Sequence, residues 1–465
     1  MRMLEYRFSH FWIIALCGMF SACATHVSQP EIDTAIEATL DIPPEQWVED
    51  ATSAAVEIGW IGTFADSALT ELVQEAQSNN RDLRAASADV ERARALAVQA
   101  GAALTPSVDL GLGAAYSGGP RGSTPNTTDL TLGLQLGWEA DVWGRIRAGS
   151  AGALASAQAV EADYRFARHS LAANTAKAYF AAIEARLQTG VVRKSLSSLE
   201  ETLRIVQLRY DNGMTSAQDL ALARSDLATV RGHLLDVESA RRDAVRALEL
   251  LLGRYPSAEL DLRTSLPEAP PHPPAGVPSE ILERRPDLVA AERRVAAAFN
   301  LLDQAKAAKL PALSLTTNVG GASNSLTSVL DPQNIVWQLT ANLLAPIFDG
   351  GQRQAQVDIA TADQKQALDS YAKVALDAFS QVESALDQGV VLEQRATELR
   401  IALQQANKAY RVAQIRYREG EVPLLDLLAL QQRVDSASGS LLAVNRLLLE
   451  QRVNLHLALG GSWEE

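Results

Sequence analysis

The sequence predicts an internally duplicated α+β membrane protein with four membrane-crossing β-strands and two pairs of long helices per chain. Three observations predict it. The second half of the chain repeats the first in order, each half holds two segments of alternating polarity, and most of the rest lacks helix breakers over long stretches.

The duplication shows when Arg81 to Leu110 is set against Pro286 to Leu315. At one constant offset Asp82 meets Asp287, Leu83 meets Leu288, Val90 meets Val295, Gln99 meets Gln304 and Pro106 meets Pro311. Further on, Arg209-Tyr210-x-x-Gly213 meets Arg416-Tyr417-x-x-Gly420, Asp219-Leu220 meets Asp426-Leu427, and Leu252-Gly253 meets Leu459-Gly460. Alanine-rich helices match one another by chance, but Pro, Tyr, Gly and Asp do not arrive in the same order by chance. A proline-rich stretch joins the halves, with prolines at 256, 267, 270, 271, 273, 274 and 278. Proline fixes φ and removes a backbone donor, so this is an extended connector.

Four segments alternate with period two: Val108 to Ala115, Leu130 to Glu139, Leu313 to Gly320 and Ile335 to Leu343. Such alternation puts one face in apolar surroundings and the other in water. A half-buried soluble sheet gives the same pattern. Two features favour a membrane: each segment is near the ~9–11 residues a tilted strand needs to cross a bilayer, and the polar face is rich in Gly, Thr, Gln and Asn. Four strands cannot close a barrel, and lipid tolerates no open sheet edge. Membrane-crossing strands therefore require several chains to share one barrel, and three would give one wide enough for a pore.

From Gly144 to Asn212, and again from Gly351 to Glu419, helix breakers are few. A continuous helix of that size runs about 100 Å at 1.5 Å per residue, longer than any single globular core, so it needs partners along its whole length. Each long helix turns near Gly213 or Gly420 and returns to Gly253 or Gly460. Ser216 and Asp219 form an S-x-x-D capping box, and Pro423 suits a first helical position.

The chain begins as an exported protein does. Arg2 and Arg7 precede the short apolar run Phe11 to Phe20, followed by Ser21-Ala22-Cys23. Small residues before a cysteine resemble a bacterial lipobox with Cys23 as the lipidated first residue; Ala24 after it favours the outer membrane in lipoproteins of that kind. The other cysteine, Cys17, lies in the signal, so neither a disulfide framework nor a Cys-based metal site is expected.

The net charge of −14 argues against a nucleic-acid partner, which needs a basic surface. The histidines are scattered, without metal-site spacing, and neither a phosphate-binding G-x-x-x-x-G-K-[ST] loop nor a G-x-S-x-G elbow occurs. The chain is expected to be no enzyme and to hold no cofactor or metal.

Three motifs complete the pattern. Pro278 to Leu288 reads PSEILERRPDL, Trp138 to Arg145 reads WEADVWGR, and the chain closes on Leu459-Gly460-Gly461-Ser462-Trp463. Together with the two R-Y-x-x-G tips, these resemble the outer membrane factor family of TolC-like channels, and within it the NodT-type outer-membrane lipoproteins of RND efflux systems. One departure is Ile281, where the family's P-S-x-L-L-x-R-R-P-D-L has leucine.

The resemblance implies a homotrimer whose twelve strands form an outer-membrane barrel in contact with lipid, continuous with a helical barrel in the periplasm. The linker and chain ends would form an equatorial belt. The tips near Gly213 and Gly420 would close the entrance, where a periplasmic adaptor (membrane fusion) protein and an inner-membrane RND pump dock. Conduction would be passive, driven by the pump. The expected organisation is a signal at 1–22, an equatorial segment at 23–66, a first repeat at 67–253 with a β-hairpin at 106–140, a linker at 254–278, a second repeat at 279–460 with a β-hairpin at 311–345, and a tail at 461–465.

The candidate gate residues are Asp426, Leu425, Tyr417, Asp219 and Tyr210. Asp219 and Asp426 sit at equivalent positions in the first turn after each tip. They either stabilise helix ends or, as a ring of three in a trimer, concentrate negative potential at the entrance. The resemblance supports the ring more for Asp426. Many relatives have a second Asp where this chain has Ala429, which shifts weight onto Leu425. Tyr210 and Tyr417 either pack between helices or tie neighbouring helix pairs, for instance Tyr417 to Asp219. Two other functions fit the same patterns: a type I secretion duct, and a periplasmic coiled-coil scaffold or adhesin with a soluble sheet. The cargo is not legible; drugs, metal ions, siderophores and solvents all remain open.

Overall fold

The computed structural model describes residues 29–40, 45–48, 59–119 and 127–461. The expected signal and Cys23 lie outside them, as do part of the first strand connection and Trp463. The described chain divides into two compact units: one holds residues 29–40, 88–119, 127–162 and 290–374, the other residues 45–48, 59–87, 163–289 and 375–461.

The elements are α1 (Gln29–Glu37), α2 (Ser67–Asn79), α3 (Arg81–Ala102), β1 (Ser107–Ser117), β2 (Thr127–Ala140), α4 (Arg145–Asp211), α5 (Ala217–Leu251), α6 (Glu280–Arg284), α7 (Pro286–Ala307), β3 (Ala312–Ser323), β4 (Ile335–Leu344), α8 (Gln352–Glu419) and α9 (Leu424–Ala458). A short 3-10 turn, Trp60–Phe64, precedes α2. The long helices α4 and α8 have 67 and 68 residues, and α5 and α9 have 35 each.

In the first unit the strands form one antiparallel sheet in the order β1-β2-β3-β4. The pairing of β2 with β3, Leu134 opposite Val319, joins the two halves of the duplication. The register gathers Leu110, Leu112, Leu132, Leu134, Val319, Trp337 and Leu339 on one face, and Asp109, Gln135, Asn318 and Gln338 in one row on the other. The apolar face is uncovered, with Trp337 75% exposed. An uncovered apolar face of this extent needs a nonaqueous neighbour, which is what a lipid-facing sheet has and a soluble sheet lacks.

The motif WEADVWGR makes the turn from β2 into α4. The Asp141 carboxylate accepts from the backbone N–H of Ile146 and Arg147, both at 2.9 Å, satisfying donors that a helix start leaves free. Arg145 holds Glu139 through both carboxylate oxygens at 2.8 and 2.9 Å, and Trp143 donates to the Pro311 carbonyl at 2.7 Å. The second half repeats the cap: Asp349 accepts from Gly351 and Arg353 N–H.

In the second unit, Trp60, Phe64, Leu69, Tyr179, Phe180, Ile183, Leu248 and Leu252 belong to one extensive core. Asp66 N-caps α2, accepting from Ala68 and Leu69 N–H, and also accepts the Tyr179 hydroxyl at 3.0 Å. The duplication is visible in the chemistry here. Asn80, before α3, donates to the Leu251 carbonyl at 3.0 Å; Arg285, before α7, donates to the equivalent Ala458 carbonyl at 3.0 Å. Arg285 also grips Asp287 of the PSEILERRPDL motif at 2.7 Å and is 2% exposed. Pro423, expected at the first helical position of α9, instead occupies the N-cap, and the helix begins at Leu424.

Candidate functional site

Both hairpins turn by the same backbone device. At the first tip, Gly213 donates to Tyr210 O (2.9 Å) and Met214 to Arg209 O (2.8 Å); at the second, Gly420 donates to Tyr417 O (3.0 Å) and Glu421 to Arg416 O (2.9 Å). These paired bonds close the helix ends around a residue in the left-handed region, at φ +71° for Gly213 and +83° for Gly420, which favours glycine at the fourth motif position after arginine. The hairpins then pack on each other: Val206, Leu220, Ala223 and Leu227 share a core with Tyr417, Leu424, Leu427 and Leu428.

The structure brings the candidate residues to this end of the hairpins but gives them different surroundings. Tyr417 is buried, 4% exposed, and Tyr210 at the equivalent position is 41% exposed. The Arg209 guanidinium lies 4.6 Å from the Tyr417 ring centroid and donates to the carbonyls of Tyr417 (2.7 Å) and Arg418 (3.0 Å). It therefore caps the C-terminal end of α8, where carbonyls lack helical donors and a positive charge complements the helix dipole. Burial raises the Tyr417 phenol, offset in part by Arg209.

Asp219 accepts from Thr215 Oγ1 at 2.6 Å and Ser216 Oγ at 2.9 Å, and Ser216 Oγ accepts in return from Asp219 N–H at 3.0 Å. The Thr215 and Ser216 bonds hold its carboxyl below the usual range. Asp426 is exposed in the first turn of α9, where Pro423 offers no side-chain cap. It lines a groove of about 700 Å³ with Lys408, Val412, Arg416 and Leu430. Leu425 is 64% exposed.

Two features escaped the sequence reading. Arg209 was legible only as a repeated letter, since its partners lie 208 and 209 residues away. The other is a polar tie between hairpins: Ser195 of α4 donates to Asp435 of α9 at 2.5 Å, Gln431 donates to the Ser195 carbonyl at 3.1 Å, and Tyr410 of α8 donates to Gln431 at 3.2 Å. Burial raises the Asp435 carboxyl despite the Ser195 bond. A signal existed for Gln431. It follows Leu427 and Leu428 at helical spacing, so a polar residue stands in an apolar stripe.

An uncovered amphipathic sheet whose outer strands pair on one side only among the described residues, in a chain that also forms long helical hairpins, is the architecture of a membrane-channel subunit. The family model described as outer membrane efflux protein matches residues 72–254 and 277–461. The chain belongs to the outer membrane efflux protein family. It is 32% identical to the pyoverdine export outer membrane protein OpmQ of Pseudomonas aeruginosa, over 97% of this chain and 96% of that one. It is 30% identical to the cation efflux system protein CusC of Escherichia coli K12, over 87% and 88% of the two chains. Among solved structures, the outer-membrane channel of Neisseria gonorrhoeae named MtrE, in its open state, aligns with a TM-score of 0.82 at 28% identity, over 90% of this chain and 96% of that chain.

The protein is thus the outer-membrane channel component of an efflux system and not an enzyme. The scaffold alternative falls with this match. Proteins of this family work with adaptors and inner-membrane pumps and form trimers.

Proposed function

We propose that three copies of this chain close a twelve-stranded barrel and form the passive exit duct for an inner-membrane RND pump and its periplasmic adaptor. The observation that carries this reading is the open sheet: β1 and β4 each pair on one side only among the described residues. A lipid-facing sheet needs both edges satisfied. In this reading residues 1–22 are removed, Cys23 carries the lipid anchor, and the linker at 254–278 belongs to the belt between the repeats. The relatives' names, pyoverdine export and cation efflux, span unlike cargoes. That supports a duct in which selection rests with the pump.

The second tip is the moving gate, with Asp426 and Leu425 facing the entrance and Tyr417 holding α8 in the resting position. Three Asp426 carboxylates around a narrow mouth attract cations and resist anions. The experiment is conductance of purified protein in planar bilayers. Cation-preferring pores are expected, with the preference weakened in Asp426→Asn and conductance raised in Tyr417→Phe. A monomeric sample that forms no pores sinks the barrel; unchanged conductance and preference in both variants sinks the gate assignment alone.

A further inference from the structure

The proline-rich linker meets the second hairpin at one polar cluster. Arg452 of α9 is 1% exposed. Its Nε donates to the Pro270 carbonyl at 2.9 Å, its Nη1 lies 2.8 Å from His272 Nδ1, and its Nη2 donates to Glu393 of α8. The far side of the His272 ring also reaches Glu393, Nε2 to Oε1 at 3.0 Å. Arginine has no acceptor to offer. His272 Nδ1 must therefore be the lone-pair side, and Nε2 carries the proton that goes to Glu393. The neutral imidazole is a two-ended adaptor, accepting from α9 and donating to α8.

The backbone makes room for this arrangement. A Cβ on Gly389 of α8 would stand 2.7 Å from His272 Cε1, so the ring seats only over a glycine. Beside it, Trp47 donates to the Ala275 carbonyl at 3.2 Å, holding the next linker residues.

We propose that His272 is a protonation-sensitive clasp, fastening residues 270–278 of the linker across α8 and α9 while neutral and releasing them in mild acid. Protonation at Nδ1 would turn an acceptor into a donor facing a guanidinium donor 2.8 Å away. Glu393 on α8 bonds the ring, and Arg452 on α9 opposes it. The Arg452 charge also acts on His456, four residues along α9. This histidine is stacked on Trp60 at 5.7 Å and held down to about 4, first by burial and then by the Arg452 charge. His456 therefore stays neutral through mild acid.

Burial, then Arg452, lowers His272 below its ordinary value, against the pull of Glu393. The docked linker accordingly prefers neutral histidine. Its hold is complete above the free histidine value of ~6.5 and declines as pH falls through the lowered one.

Hydrogen exchange of the full chain in detergent, followed in peptides spanning residues 266–281 and corrected for intrinsic rates, tests this. Protection is expected to fall about fivefold from pH 7.5 to pH 5.5. In His272→Gln it is expected to stay at the pH 7.5 level at both values, because the amide accepts and donates at the same two ends without titrating. In Gly389→Ala it is expected to be low at both. Equal wild-type protection at the two pH values, the same acid loss in His272→Gln, or full protection in Gly389→Ala overturns the clasp.

Discussion

The two hairpin tips share a turn but not a lock. Both close on a left-handed glycine with the same pair of backbone bonds. The first then enters α5 through the reciprocal Ser216 and Asp219 cap, reinforced by Thr215. The second enters α9 through Pro423, with no side-chain cap, and leaves Asp426 and Leu425 in the open. The arginines diverge in the same sense. Arg209 reaches across to the end of α8, whereas Arg416 at the equivalent position pairs with Glu421 of its own tip at 3.1 Å. The second tip is therefore tied to the first hairpin through Arg209, while Arg416 gives nothing back across it. The difference teaches that a duplicated element can become a fixed member and a held member by changing a few end residues, with the backbone unchanged.

The comparison breaks most sharply at Arg209. Arg209→Ala removes two bonds to α8 carbonyls and the contact over Tyr417. A hydrogen bond to a charged group is worth ~1.5–3 kcal/mol, and partial exposure of this arginine favours the lower end. The packing of the second tip is expected to weaken by about 2 kcal/mol, and pores in planar bilayers are expected to open more often. Arg416→Ala, in contrast, is expected to leave both nearly unchanged; equal effects from the two variants would erase the distinction drawn between the arginines.

A smaller effect separates the two helix starts. Ser216→Ala is expected to cost about 1 kcal/mol, seen as faster hydrogen exchange in the first turn of α5. Smaller still, Pro423→Ser should slow exchange in the first turn of α9, by ~0.5 kcal/mol, because the extended backbone there (φ −72°, ψ 158°) already suits a serine cap. If α9 exchanges no faster than α5 in the parent protein, the difference in caps does not govern tip mobility.

The sequence alone determined the features whose causes are local. Alternation at Leu130 to Glu139 fixed which side chains share a face, because successive side chains of a strand point to opposite sides. The Ser216 and Asp219 cap was legible because its atoms lie within one turn. The two long helices were legible because nothing in 67 or 68 residues stops them. The order of matched Pro, Tyr, Gly and Asp gave the duplication, and the motifs gave the family. The sequence also set Asp219 and Asp426 at equivalent positions, with cap and gate both open, and only the family resemblance leaned towards the gate for Asp426.

Tertiary structure decided what depends on partners far along the chain. It paired β2 with β3 and so joined the two repeats into one sheet. It turned Arg209 into a cap for α8, buried Tyr417 while exposing Tyr210, and spent Asp219 on a helix end while leaving Asp426 free of a capping bond. It also set His272 of the linker against Arg452 and Glu393. The physical reason is the same in each case. A turn or a strand face is fixed by neighbours a few residues apart, which the repeat copies along with the residues. A long side chain finds its acceptor only after two helices separated by some two hundred residues have packed, and the two copies of a repeat do not pack against the same neighbours.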